Sequence, residues 1–443
     1  MTLLVISPDY ASHLFPLATL AGAWAEAGER VVVATGPATD AIVSRFGFER
    51  EDLQLGRGSN PGIIRAEDQP SGEDDALRGF FAATRLGAVP TLAFQAAARG
   101  DDLLWDPLRV AREVQLIVQR VNPDHVIVDH LAFSARLALS GTGVRHADVV
   151  LGHPSALTVG EEVYGYPPAW PRRLQPAPND LVTLRRQCER VRDVFTEQWN
   201  GVLASLDPGA RASNDAFAET GDVLLLNYPG ALHPPERTAL LGRHAFLGSA
   251  VRTEESDAEV EAWLARGGAP VVYVSLGSFL SVRSDVLACA AEALRGMDVR
   301  VAIATGSTPR EALGAIPESW LVRDELPQVT LLDHAILAVS HGGNNSVTEA
   351  LTAGVPLLLL PLSTDQFAGA AALEAAGLGE ALDPNTLTPG EMRTVASQLL
   401  DQDADAAARL ARLSKDLTTT PGASRARAAM VPADDAATEP PRR

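Results

Sequence analysis

Residues 335–366 constrain the fold more than any other part of the chain. They read Ala-Ile-Leu-Ala-Val-Ser-His-Gly-Gly-Asn-Asn-Ser-Val-Thr-Glu-Ala-Leu-Thr-Ala-Gly-Val-Pro-Leu-Leu-Leu-Leu-Pro-Leu-Ser-Thr-Asp-Gln. Ala335 to Ser340 is a short apolar run, the pattern of a buried strand. Gly342 and Gly343 follow at once and let a ligand approach the backbone closely. Asn344, Asn345 and Ser346 are favoured N-terminal residues for the helix expected there, and Gly354 with Pro356 mark its end. Val355 to Leu360 is a second apolar strand. Strand, glycine turn, helix and strand make a parallel crossover, and the helix N-terminus offers free N–H groups and a positive dipole end to a phosphate.

The polar residues of this unit ask for more than phosphate. His341, at the loop entrance, is placed to donate to a phosphate oxygen. Glu349 follows Asn345 by one helical turn on the same face. A carboxylate there repels a diphosphate but suits the vicinal hydroxyls of a ribose. Asp365 and Gln366 follow the second strand at the carboxyl edge of the sheet, where open α/β sheets bind ligands, and a carboxylate beside an amide suits sugar hydroxyls. Phosphate, ribose and sugar sites in that order describe a nucleotide sugar.

This stretch resembles the donor-binding signature of the UDP-dependent glycosyltransferases of the GT-B fold. The residues that match are His341, Gly343, Asn345, Ser346, Glu349, Gly354, Pro356, Pro361, Asp365 and Gln366, with Leu326, Pro327, Gln328 and Leu332 upstream, in the segment that flanks the nucleobase in the family. Glu325 and Asn344 stand where plant members usually carry tryptophan. The resemblance implies an α/β chain of two doubly wound Rossmann-like domains facing a central cleft. It also implies a UDP- or dTDP-sugar donor, glucose first among the sugars, and inversion at the anomeric carbon.

Composition narrows the partners. Thirty-seven basic against 56 acidic residues leave a net charge of −19, which argues against nucleic acid and anionic membranes. Two cysteines, Cys188 and Cys289, make no disulfide framework, so a reducing compartment is expected. The first residues carry no signal-peptide pattern and no apolar run reaches a membrane span, so a soluble cytoplasmic protein, monomeric or homodimeric, is expected.

With 443 residues the chain is long enough for two domains. An acceptor-binding domain is expected over 1–247 and a donor-binding domain over 248–417, joined at the charged segment Gly248–Asp257, with a flexible tail over 418–443 and the final helices crossing back to the first domain by resemblance. Gly56–Asp75 reads as a mobile polar loop, Ala76–Ala98 as one helix and Gly152–Pro178 as a long loop of the functional kind.

His13 lies in Ser12-His13-Leu14-Phe15-Pro16 after the first strand, at a carboxyl edge. Sugar transfer to a hydroxyl calls for a base near pKa 7, and the resemblance puts the family's base here. Asp129 ends the strand beginning at His125, and an Asp accepting from one imidazole nitrogen fixes the tautomer and stabilises the imidazolium. His130 is an adjacent competitor for that pairing. Gly277 and Ser278, expected to end the first strand of the second domain, are a second diphosphate contact. His146 and His153 read as loop or surface residues. No metal-ligand spacing and no glycine-lysine phosphate loop is present, so neither metal nor cofactor is expected. The acceptor is expected to be a small hydrophobic or polyhydroxylated molecule. An epimerase on the same fold, or a non-catalytic helper of a transferase, are the alternatives.

Overall fold

The computed structural model describes residues 1–63, 73–98, 103–401 and 404–431. Two parallel sheets organise them. The first contains β1 (Thr2–Ile6), β2 (Arg30–Thr35), β3 (Glu49–Asp52), β4 (His125–Asp129), β5 (Ala147–Val150), β6 (Val223–Leu226) and β7 (His244–Phe246), in the order β3-β2-β1-β4-β5-β6-β7. The second contains β8 (Val271–Ser275), β9 (Arg300–Ala304), β10 (Leu321–Arg323), β11 (Ala335–Ser340), β12 (Leu357–Leu359) and β13 (Gly379–Ala381), in the order β10-β9-β8-β11-β12-β13.

The inner strands are apolar without a polar face because both faces are covered. Leu3, Val5, Val31 and Val33 join one core, while Leu4, Ile6, Val32 and Ala34 join the core on the opposite face. Val271 and Tyr273 likewise part from Val272 and Val274. Alternation along each strand thus feeds two layers of helix, the arrangement that continuous apolar strands require. Each sheet reverses its winding once, between β1 and β4 and between β8 and β11. Open sheets bind ligands at the carboxyl ends flanking such a switch. His13 follows β1 and Asp129 ends β4; Gly277 follows β8 and His341 follows β11.

The two halves are not independent bodies. Leu92 and Ala96, Val163 and Leu174, and Leu184 and Cys188 all lie in the core built on one face of the second sheet. The loop over Gly152–Pro178 therefore runs against the second half, where Trp170 lies 5.0 Å from Phe367, and Arg172 and Arg173 meet Glu380 and Glu391.

Several expectations need correcting. The segment Ala76–Ala98 forms two helices, Glu73–Thr84 and Ala88–Ala98, broken at Gly87, whose φ of +121° no helix accommodates. The edge strands β3 and β13 escape a search for apolar runs, because β3 reads Glu-Arg-Glu-Asp and β13 is three residues long. The tail expected to be flexible over 418–443 holds the helix Gly422–Met430. Its Ala426 is fully buried, Arg427 pairs with Glu29, and Gly422 sits so close to the Ser249 carbonyl that a Cβ would be only 2.4 Å away. A composition of Ala, Pro and charge hides this helix, since its apolar face is alanine apart from Met430 at its end. Of the loop expected over Gly56–Asp75, residues 64–72 lie outside the described residues, as do 432–443 of the expected tail.

Candidate active site

His13 belongs to the first turn of the helix Ala11–Glu26, not to the loop before it. Its Nδ1 lies 2.7 Å from Asp129 Oδ2, and Asp129 has no exposed surface. The other carboxylate oxygen accepts from the Leu131 main-chain N–H at 2.8 Å. A carboxylate can only accept here, so Nδ1 carries the proton and Nε2 keeps a lone pair. Burial pulls the imidazole down, but the charge and hydrogen bond of Asp129 outweigh it and raise His13 above its ordinary 6.5. Burial pushes Asp129 up, and the paired His13 more than reverses that, holding the carboxyl below its usual range. His130, the other candidate for the pairing, stays 3.9 Å away from Asp129, and burial holds its pKa down at about 4. The pairing of Asp129 with His13 is thus unambiguous.

A second histidine is held between glycines. A Cβ on Gly277 would stand 2.7 Å from His341 Cε1, and one on Gly343 would stand 2.4 Å from His341 Nε2. Only hydrogen at both positions lets the ring enter, so the turns after β8 and β11 close on one imidazole. Burial lowers His341 to about 4, which makes it a neutral group that still carries one N–H. The strand β8 stops at Ser275, and Gly277, at φ +71°, opens the short helical turn Gly277–Leu280 that includes Ser278, instead of ending the strand. The helix Asn344–Ala353 has Gly343 as its N-cap and no side-chain cap, so the asparagines are free for other bonds.

Those bonds cross to the first half. Asn344 Nδ2 donates to the carbonyls of Leu151 and Asn227 at 2.8 and 2.7 Å. Asn345 Nδ2 donates to the Ser12 carbonyl at 3.1 Å, and its Oδ1 accepts from Asn227 Nδ2 at 3.1 Å. The Asn345 side chain, expected from sequence to bind the donor, is therefore engaged at both ends by the half that carries His13. The Asp365 carboxylate accepts from the His153 main-chain N–H, and Thr364, a β-branched residue at φ +50°, donates to its other oxygen at 2.8 Å. Gln366 turns inward and its Oε1 braces its own loop by accepting from Leu362 and Ser363 N–H at 2.9 and 3.1 Å. Of the pair expected at the sugar, Asp365 meets the main chain of His153 in the first half and Gln366 holds the turn that carries it.

Glu349, Gln328 and Ser346 converge. Gln328 Nε2 donates to Glu349, and Ser346 Oγ and Tyr273 OH each lie 3.4 Å from Gln328 Oε1. Leu326 lies half-buried against the same core. Burial raises the Glu349 carboxyl despite Arg252, whose guanidinium is 3.7 Å away. Arg252 and Asn227 were not singled out from sequence. Arg252 sits in a charged linker with nothing to distinguish it, whereas Asn227 is a polar residue at the carboxyl end of a buried strand, a signal that points to the cleft. His146, read as a loop or surface residue, is buried, with its Nε2 3.6 Å from Asp148. Among the described residues no group of three or more His, Cys, Asp or Glu is arranged to hold a metal, and no helix is long and apolar enough to cross a membrane.

The chain is similar to known proteins along its length. It is 28% identical over 251 residues to the NDP-glycosyltransferase YjiC of Bacillus licheniformis, covering 56% of this chain and 63% of that protein. It is 30% identical over 247 residues to the oleandomycin glycosyltransferase of Streptomyces antibioticus, covering 54% and 55%. Either alignment thus spans less than two thirds of the relative. The fold matches the crystal structure of the glycotransferase of kitacinnamycin with a TM-score of 0.67 at 21% identity, over 96% of this chain and 97% of that one. The family model of UDP-glucoronosyl and UDP-glucosyl transferases matches residues 188–425, more than half of the sequence, and the chain belongs to that family.

Proposed function

We propose that this protein transfers a sugar, glucose in the first instance, from a UDP- or dTDP-sugar to a hydroxyl of a small natural-product acceptor, with inversion. The observation that carries the reading is the pairing of His13 with a fully buried Asp129 at the switch point of one sheet, tied through the Asn345–Ser12 hydrogen bond to the helix that follows the glycine-held His341 at the switch point of the other. His13 Nε2 takes the proton of the acceptor hydroxyl, and Asp129 stabilises the imidazolium so formed. The acceptor oxygen attacks the anomeric carbon on the face opposite the leaving group, through an oxocarbenium-like state. The departing diphosphate receives hydrogen bonds from His341, Ser278, Ser346 and the main-chain N–H groups at the start of Asn344–Ala353. This arrangement supplies the stabilisation that a metal would otherwise give, so the reaction runs without one. Glu349 takes the ribose hydroxyls, Leu326 and Gln328 flank the base, and Asp365 takes the sugar. The name of the Streptomyces relative supports a macrolide among the first acceptors to try.

The test incubates the protein with UDP-glucose or dTDP-glucose and either a macrolide or a simple phenol, without added divalent metal. The expected product is a β-glucoside, identified by its anomeric proton coupling, together with free nucleoside diphosphate. Release of nucleoside diphosphate with an epimerised sugar and no glycoside would favour the epimerase, and no reaction with a panel of donors and acceptors would favour the helper.

A further inference from the structure

We propose that Asn227 is a positioning residue that couples closure of the two halves to the placement of His13 against the donor loop; the proposal rests on the transfer reading above. Asn227 stands at the carboxyl end of β6, with 1% of its surface exposed, and every polar atom of it is engaged. Its main-chain N–H donates to the Val150 carbonyl at 2.9 Å, which fixes it to the first sheet. Its Oδ1 accepts from the Ala250 N–H at 2.8 Å, which holds the linker between the halves. Its Nδ2 donates to Asn345 Oδ1, and its carbonyl accepts from Asn344 Nδ2. One residue thus grips the first sheet, the linker and the N-terminus of the helix expected to hold the diphosphate. The bond to the linker N–H leaves the amide one orientation, with Nδ2 toward Asn345. Asn345 in turn reaches the carbonyl of Ser12, next to the base. The chain Asn227–Asn345–Ser12 therefore fixes how far His13 lies from the donor loop.

Asn227→Asp keeps the shape and the oxygen facing Ala250 but sets a second oxygen against Asn345 Oδ1. Three readouts on the full chain decide the matter: small-angle scattering of the free protein, calorimetric binding of UDP and dTDP, and transfer kinetics across pH. The expected result is a larger radius of gyration and a kcat lower by about tenfold, the scale set by leaving one buried acceptor unpaired. Nucleotide affinity falls by less than kcat, since the new carboxylate lies beside the helix N-terminus, and the midpoint of the acid limb stays as in the wild type. A purely structural role would lower folded yield without separating kcat from these two. An unchanged radius or an unchanged kcat in folded Asn227→Asp overturns the proposal. If that variant fails to fold, Asn344→Ala, which removes the donor to Leu151 and Asn227 from the opposite side, decides by the same two readouts. Failure of the wild type to bind nucleotide or transfer sugar refutes the transfer reading instead, and the scattering comparison then decides the clasp alone.

Discussion

Asp129 changes His13 in two ways that separate experimentally: it raises the imidazole and it holds the Nδ1–H tautomer. Transfer needs His13 neutral, so activity falls as pH drops through a midpoint above 6.5. Asp129→Asn leaves burial, which pulls the imidazole down, without the opposing charge. The acid limb of its pH–rate profile is therefore expected to move to lower pH, while kcat falls by ~10²–10⁴ because the imidazolium is no longer stabilised. An acid limb that stays in place would separate Asp129 from the base. The same pair sets a stability window. The raised His13 contributes stability that is complete below its ordinary 6.5 and lost as pH rises through the folded-state value, whereas the lowered Asp129 contributes stability above its ordinary 3.8 that is lost as pH falls through its own. Thermal melts of wild type and Asp129→Asn should differ most between those limits. If Glu349 takes the ribose as proposed, Glu349→Ala raises KM for the donor with kcat nearly unchanged, because such a contact is the same in ground and transition states. It also strips Gln328 of an acceptor and Arg252 of an ion-pair partner, at a stability cost of about 1–3 kcal/mol read by thermal melts.

At the level of the element, the turn His341–Gly343 with the helix that follows is the part most legible from sequence. Its glycines and strand ends are local, so spacing alone orders them. Gly343→Ala tests it cleanly: with φ at −61° the backbone tolerates alanine, and the only conflict is with the His341 ring. Binding of free nucleoside diphosphate should weaken while the melting temperature barely moves. Gly277→Ala adds the strain of φ +71° and should lower both. What sequence could not supply is the destination of the polar side chains. Asn344 reads as a helix-start residue, yet its partners Leu151 and Asn227 lie 193 and 117 positions away. Gln366 reads as a sugar ligand, yet it braces a loop three residues behind it. Propensity describes where a residue is tolerated, and only the assembled fold says which unsatisfied groups it meets. The His13–Asp129 pair was legible because both residues end or follow strands of one sheet, and the parallel order of β1 and β4 then brings them together.

Across the whole molecule, the two halves share core, linker bonds and a returning helix. The helix Gly422–Met430 lies on Ala11–Glu26, the helix that bears His13, and it buries Ala426 completely. Ending the chain after Thr420 should lower the melting temperature and kcat together, because the support of the base-bearing helix goes with it; a truncated protein with wild-type melting and turnover would show the contact to be idle. The domain pattern was readable because each half repeats strand and helix, while the returning helix was hidden by its alanine-rich face. Whether His13 deprotonates an acceptor for sugar transfer is read from single-turnover formation of glucoside from a bound nucleotide sugar in wild type and His13→Ala. The two proteins should bind nucleoside diphosphate equally, with a transfer step slower by ~10²–10⁴ in the variant. Glucoside formed at the wild-type rate by folded His13→Ala would contradict that role of His13.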